Sequence, residues 1–194
     1  MWPGKQRPRV RRNLIDVLDV DEFVTECRAC LAETEPRLAV SDLLERTVDP
    51  ASQCEAALPA ERAELTTLHH SPDLTVLKVV WAPGMSIWPH DHSMWAAIGI
   101  YAGQEDNTFF RRADGDIEPR RTRELSTADV VLLGDDVIHA VHNPLGVCTG
   151  SIHVYGGDFF GRDVSQWDPE TLQAADDVGP PWRVFAEANE RLGL

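Results

Sequence analysis

The chain has 194 residues, 43% of them hydrophobic, and a formal net charge of −14 from 32 acidic and 18 basic side chains. This length suits one domain with a sizeable core, and no apolar run approaches the ~20 residues that a membrane span needs. The acidic balance argues against nucleic-acid binding, which requires a basic face.

The first twelve residues form a basic segment that contains five Lys and Arg side chains. The segment lacks the apolar core of a secretory signal, so we expect a cytoplasmic protein and interpret residues 1–12 as a solvated tail. Cys27 and Cys30 form a CxxC pair, but no second pair follows. We interpret them as small apolar residues on adjacent turns of a helix, rather than as a zinc or redox site.

Residues 13–63 are predicted to form a helical annex. Apolar side chains recur at helical intervals, and either Asp19 or Asp21 can cap the first helix. Pro36 interrupts this run, and the leucines after it predict a second, short helix. Residues 49–63 are rich in Ala and Pro, and we expect them to form a connector.

Residues 64–162 are predicted to form a barrel. Short β-prone runs follow one another with Gly, Pro, Asn and Asp between them and no helical pattern. Such a series is typical of an antiparallel sandwich or barrel. In the C-terminal extension, residues 163–194, Asp168 can cap a helix, and residues 182–192 predict a short amphipathic helix. The whole chain is therefore predicted to be a single, mainly β domain.

Three histidines are predicted to bind one metal ion. His90 and His92 are two residues apart, so on a strand both side chains point to the same face. His139 follows about fifty residues later, where a distant strand can supply a third ligand. Since His142 is three residues after His139, an unbulged strand sends the two to opposite faces. We expect His139 to be the ligand and His142 to lie behind the ligands or at the surface.

The ligand set indicates the chemistry of the ion. Neutral imidazoles suit zinc, copper, iron or nickel. Three protein ligands leave coordination positions open, which is typical of a catalytic metal. Because three neutral ligands leave a divalent ion its full charge, the site favours an anionic substrate such as a thiolate or an enolate.

A second polar motif lies close to the C-terminal end of the predicted barrel. Ser151, His153 and Tyr155 alternate along one strand, so all three share a face. Each group can both donate and accept a hydrogen bond. The motif therefore predicts a relay that orients a substrate or moves a proton.

Together these motifs resemble the cupin superfamily, and within it the thiol dioxygenases, of which cysteine dioxygenase is the best known. The resemblance spans roughly residues 76–157 and rests on Gly84, His90, Asp91, His92 and Gly103, then His139 and Asn143, then Ser151, His153 and Tyr155. It implies a mainly β double-stranded β-helix, or jelly-roll barrel, with N-terminal helices and a short C-terminal helix.

The resemblance also implies the site's function. His90, His92 and His139 would bind iron(II), with Tyr155 nearest the chemistry. The reaction would place both atoms of dioxygen on the sulfur of a thiol and give a sulfinate. Ala96 and Ala97 occupy the positions where many cupins carry a glutamate ligand, which supports the three-histidine class.

Four further residues are candidates for contacting the substrate or supporting the site. Arg162 or Lys78 could bind a substrate carboxylate. Glu105 and Asn107 follow the first metal motif, and we interpret both as turn residues, with a role behind the metal ligands as the alternative for Glu105.

The leading prediction is an iron(II)-dependent dioxygenase that acts on a small anionic thiol of the cysteine or 3-mercaptopropionate type. Zinc or nickel is possible in the purified protein. One alternative keeps the metal and dioxygen but cleaves a β-diketone, and another is a zinc or nickel isomerase. A third is a cupin that binds a metal or small ligand without turnover. We expect no nucleic-acid or membrane partner, and either a monomer or a homodimer.

Overall fold

A computed structural model describes residues 17–114, 116–175 and 181–193; the predicted basic tail lies outside them. The helices in these residues are α1 (Val20–Cys30), α2 (Pro36–Val48), α3 (Ala51–Ala57) and α4 (Pro181–Leu192). The strands are β1 (Glu64–Ser71), β2 (Leu74–Trp81), β3 (Ser86–His90), β4 (Ala96–Ala102), β5 (Gln104–Ala113), β6 (Asp116–Ser126), β7 (Val130–Leu133), β8 (Ile138–His142) and β9 (Thr149–Tyr155).

The N-terminal helices begin where the sequence predicts. Asp19 caps α1, since its carboxylate accepts a hydrogen bond from the backbone N–H of Glu22 at 3.0 Å. Pro36 is the first residue of α2, a position where a missing N–H is tolerated. The predicted connector over 49–63 is wrong in part, because it contains α3. The alanines of α3 favour a helix, and its Cys54 is fully buried against the other helices.

The nine strands form two antiparallel sheets. One has the order β1-β2-β9-β4-β7 and the other β3-β8-β5-β6. The order is that of a double-stranded β-helix, so the predicted mainly β barrel is confirmed. Every residue of β2 is buried, because this strand has the barrel interior on one face and the helices on the other.

The N-terminal helices cover the outer face of the first sheet. Leu44 and Val48 of α2 pack against β4 so closely that a Cβ on Gly99 would lie 2.8 Å from Leu44 Cγ. Cys27 is fully buried in the same cluster, and burial raises the pKa of its thiol to about 12. This placement agrees with the interpretation of Cys27 as a packing residue.

The C-terminal segment closes one side of the barrel. Asp168 accepts hydrogen bonds from the backbone of Glu170 and Thr171 and forms a turn, so the helix predicted after it is wrong. The predicted final helix is confirmed as α4. Its Asn189 side chain both donates to and accepts from the backbone of Ala63, which fixes α4 to the start of the barrel. No helix among the described residues is long and apolar enough to span a membrane.

Candidate metal centre

Three imidazoles converge inside the barrel. His90, His92 and His139 each offer one ligand atom, and these atoms lie within 4.8 Å of one another. The Nε2 atoms of His90 and His92 are 3.2 Å apart. The Nε2 atom of His139 is buried and has no hydrogen-bond partner among the described residues. A buried nitrogen lone pair is costly unless it has a partner, and one metal ion would satisfy this cluster.

The hydrogen bonds behind the ring fix which nitrogen of His139 is free. Its Nδ1 lies 2.8 Å from Oδ1 of Asn107, and both residues are fully buried. With Nδ1 protonated and donating to that oxygen, Nε2 keeps its lone pair toward the cluster. His90 has the same arrangement, because its Nδ1 lies 3.0 Å from the carbonyl oxygen of Trp88.

Burial also keeps the cluster neutral. It lowers the pKa of His90, and it lowers the pKa values of His92 and His139 well below the ordinary 6.5. Neighbouring imidazoles lower the last two further, since a second positive charge would repel the first. Neutral imidazole is the form that binds a metal, so these residues fit a divalent ion of the zinc, iron or nickel type.

His92 reaches the cluster by a different route from the one that strand alternation predicts. His90 is the last residue of β3, and His92 lies in the loop beyond it. That loop is anchored by Asp91, which is 4% exposed. The Asp91 carboxylate accepts hydrogen bonds from the backbone N–H of Ser165 and from Arg112, both at 2.8 Å. The residue between the two histidines therefore anchors the loop that carries His92.

His139 and His142 point to opposite sides of β8, as the alternation predicts. His139 is 1% exposed and faces the barrel interior. His142 is exposed, and its Nδ1 lies 2.8 Å from Oγ of Ser86 on the outer surface.

Ser151, His153 and Tyr155 form a continuous chain of hydrogen bonds on β9. Ser151 Oγ lies 3.0 Å from His153 Nε2, and His153 Nδ1 lies 3.0 Å from the Tyr155 hydroxyl. The Tyr155 ring contacts the ring of His92, with centroids 5.1 Å apart. Burial raises the pKa of Tyr155, so its hydroxyl is protonated at neutral pH. The chain of hydrogen bonds therefore ends on a neutral phenol beside the three-histidine cluster.

Glu105 and Asn107 are not turn residues, and this correction adds two groups to the site. Both lie on β5, and both are fully buried. Asn107 supports His139, as described above. One Glu105 oxygen accepts a hydrogen bond from the indole N–H of Trp81 at 2.7 Å and lies 3.8 Å from His153 Nε2. The sequence signal for both was their alternation after Gly103, which predicts one shared face once a strand is assumed.

The pocket beside the histidines is small and has mainly apolar walls. It holds a cavity of about 60 Å³. The walls include Val79, Trp81, Ile87, Val141, Phe159 and Phe185. One water molecule needs a cavity of at least about 10–15 Å³, so only a few atoms fit in this cavity beside an ion.

The two candidates for binding a substrate carboxylate lie elsewhere. Lys78 is on the face of β2 opposite Val79, and its ammonium group binds Glu64 and the carbonyl oxygen of Pro59. Its predicted role in the site is therefore wrong, since strand alternation sends it toward the helices. Arg162 lines a groove next to the pocket, and its guanidinium donates to the carbonyl oxygen of Ser93 at 3.3 Å.

No protein-family model matches the chain, and no curated protein matches it. Solved structures with a similar arrangement include a double-stranded β-helix protein from Klebsiella pneumoniae, with 13% identity, coverage of 55% of this chain and 85% of that one, and a TM-score of 0.44. An RmlC-like cupin family protein from Methanocaldococcus jannaschii has 13% identity, coverage of 53% and 86%, and a TM-score of 0.45. The DMSP lyase DddQ from Ruegeria pomeroyi has 19% identity, coverage of 56% and 53%, and a TM-score of 0.44. The resemblance to thiol dioxygenases stays a prediction.

Proposed function

We propose that this chain is an iron(II)-dependent dioxygenase that oxidises a small thiol to its sulfinate. The observation that carries the proposal is the conjunction of two groups in one small pocket. Three neutral imidazoles meet at a point, and the Ser151–His153–Tyr155 chain ends against one of them.

The reaction adds dioxygen to a thiolate. The sulfur loses four electrons, the two oxygen atoms gain them, and both new bonds are sulfur–oxygen bonds, so no other oxidant is required. Iron(II), when bound to His90, His92 and His139, would supply open coordination positions and redox chemistry that bring the two reactants together. The apolar walls of the pocket would exclude water from the reaction.

The polar residues of the chain would handle the proton. A thiol has a pKa near 8.5 in water, so at neutral pH it arrives mostly protonated. Tyr155 is the polar group of the relay nearest the metal ligands, and its hydroxyl can accept a proton while passing its own to His153. Tyr155 can equally donate a hydrogen bond to the substrate and hold it in place.

The position of Arg162 restricts which anionic thiols it can bind. Its groove shares Leu65, Phe159, Val164 and Phe185 with the pocket that holds the histidines. Arg162 would therefore meet a carboxylate only on a thiol long enough to extend past these side chains.

Dioxygen uptake tests the proposal. The protein would be loaded with iron(II) under anaerobic conditions and mixed with cysteine, 3-mercaptopropionate, cysteamine or acetylacetone. We expect uptake with at least one thiol, matched by an equal amount of its sulfinate, and no uptake by His139→Ala. Dioxygen uptake with acetylacetone alone would indicate that the protein cleaves a carbon–carbon bond instead. A tightly bound metal with no uptake on any of the four would favour a binding protein.

A further inference from the structure

A second, larger cavity opens directly beside the pocket that holds the histidines, and we call it the outer groove. Its volume is about 400 Å³, compared with about 60 Å³ for the pocket. Sites for small molecules usually have about 300–1,000 Å³, so the groove has the size of a binding site and the pocket alone does not. The two cavities form one continuous depression, because they share the walls made by Leu65, Phe159, Val164 and Phe185. The rest of the groove is lined by Thr67, Phe160, Arg162 and Trp182.

Strand β1 carries the surface of the barrel interior outward into the groove. Leu65 and Thr67 are two residues apart and share one face of this strand. Thr67 pairs with Leu77 of β2, which belongs to the core cluster inside the barrel. The residue between them, Thr66, pairs with Lys78 and therefore lies on the opposite face. The groove is thus an extension of the pocket rather than a separate surface feature.

The walls of the groove are aromatic and open to solvent. Trp182, in the first turn of α4, is 70% exposed, and Phe160 is 53% exposed. The ring of Phe160 packs edge-on against that of Phe159, with centroids 5.3 Å apart, and Phe159 contacts Tyr155 at 4.5 Å. A row of rings therefore runs from the pocket to the solvent. Exposed apolar surface that continues into a pocket is typical of a ligand-binding groove.

One cationic side chain lies in this apolar wall. The guanidinium of Arg162 donates a hydrogen bond of 3.3 Å to the carbonyl oxygen of Ser93. Asp158, in the same loop, pairs with His70 instead. Arg162 can therefore meet an anionic group on a molecule that lies in the groove.

We propose that the outer groove binds an aromatic ring of the thiol substrate while the sulfur enters the pocket. Size supports this division, since only a few atoms fit beside an ion in the pocket and a ring fits in the groove. The rings of Phe160 and Trp182 favour an aromatic occupant, because aromatic pairs gain beyond the area that they bury. The substrate class is then the arylalkyl thiols, which the protein prefers over compact thiols such as cysteine. The identity of the sulfur group rests on the proposed function, but the groove can be tested without it.

The first test measures binding and involves no turnover. The probe is 3-phenylpropionate, which has a ring and a carboxylate but no sulfur, and acetate is the control without a ring. The full chain would be labelled with ¹⁵N-tryptophan, and the indole signal of Trp182 would be assigned by its loss in Trp182→Phe. We expect 3-phenylpropionate to shift this signal in a saturable manner and acetate to leave it in place. An unshifted Trp182 signal would overturn the proposal, whether or not the protein oxidises thiols.

Thr67→Trp and Thr66→Trp form a matched pair of variants on β1. Both residues are exposed, so both variants should fold. The first fills the groove with a ring, and the second places the same ring on the opposite face. We expect the affinity for 3-phenylpropionate to fall about tenfold or more in Thr67→Trp, because the ring of the probe loses its burial, and to stay unchanged in Thr66→Trp. A folded Thr67→Trp protein that binds the probe as tightly as the wild type would contradict the site.

The second test measures selection during turnover. We expect the iron-loaded wild type to oxidise 2-phenylethanethiol with a kcat/KM about tenfold or more above that for cysteine, and Thr67→Trp to lose this preference. Equal kcat/KM values for the two thiols in the wild type would contradict the role of the groove in substrate selection. Saturable binding of 3-phenylpropionate without oxidation of any thiol would leave the groove in place and contradict only the proposed function.

Discussion

Asn107 supports His139, a candidate metal ligand, from behind, so its replacement should weaken metal binding without changing any of the three histidines. The perturbation is Asn107→Leu, which has a similar shape but no hydrogen-bonding group. In the wild type, the 2.8 Å contact between Asn107 Oδ1 and His139 Nδ1 holds the proton on Nδ1. In the variant, a metal-free His139 can move this proton to Nε2, the atom that faces the cluster.

The structure gives the size of the effect. Binding a metal at Nε2 forces the proton back to Nδ1, where it is buried with no acceptor. An unsatisfied buried donor costs about 1–3 kcal/mol. Each 1.4 kcal/mol is about tenfold in a binding constant, so we expect the affinity to fall roughly 10- to 100-fold.

The assay is a competition titration with a chelator of known affinity, carried out with iron(II) under anaerobic conditions and repeated with zinc(II). Thr108→Val is the matched control, because Thr108 is the next residue on β5, is hydrogen-bonded to Thr122 and faces outward. Its metal affinity should equal that of the wild type. An Asn107→Leu protein that is folded and binds metal as tightly as the wild type would refute the assigned proton position on His139.

Four further predictions concern the ligands, the relay, acid sensitivity and the barrel itself. His139→Ala should abolish stoichiometric metal binding, and His142→Ala should not. The metal content of each variant after dialysis tests this, and a full complement of metal in His139→Ala would remove His139 from the ligand set. Tyr155→Phe should keep the metal and slow turnover about tenfold or more; steady-state dioxygen uptake measures this, and an unchanged rate would leave the relay without a role. Burial lowers the pKa values of His92 and His139, so below about pH 6.5 the unfolded chain binds protons that the folded chain excludes. The stability that these two neutral histidines contribute is present above the unfolded pKa and is lost as the pH falls toward the folded pKa. Urea unfolding of the metal-free protein should therefore show a lower free energy of unfolding at about pH 5 than at about pH 7. The same value at both would contradict the burial argument. Asn143→Ala should destabilise the protein by about 3 kcal/mol or more, because its buried amide donates to the carbonyl oxygens of Trp81, Ala82 and Val147, which then lose their donor. A thermal melt tests this, and a loss below about 1 kcal/mol would mean that water replaces the amide.

The sequence by itself predicted the architecture of the barrel. The runs of β-prone residues, with turn residues between them and no helical pattern, already indicate an antiparallel barrel, and the apolar period of the first helices indicates an annex. These patterns are local, because a strand or helix must bury one face whatever it packs against. The same local rule separated His139 from His142, since a displacement of three residues along a strand changes the face.

Only the tertiary structure showed which side chains support the three histidines and which candidate residues do not reach them. Glu105 and Asn107 look like turn residues, because polar side chains after a glycine are common in turns. In the barrel they lie on β5, where the strand brings one to His153 and the other to His139. Lys78 shows the reverse. Its spacing placed it on a strand near the pocket, but the sequence did not show on which side of the sheet the helices would pack. Such assignments depend on which strands become neighbours, and that is decided by packing across the whole chain rather than by any short segment of it.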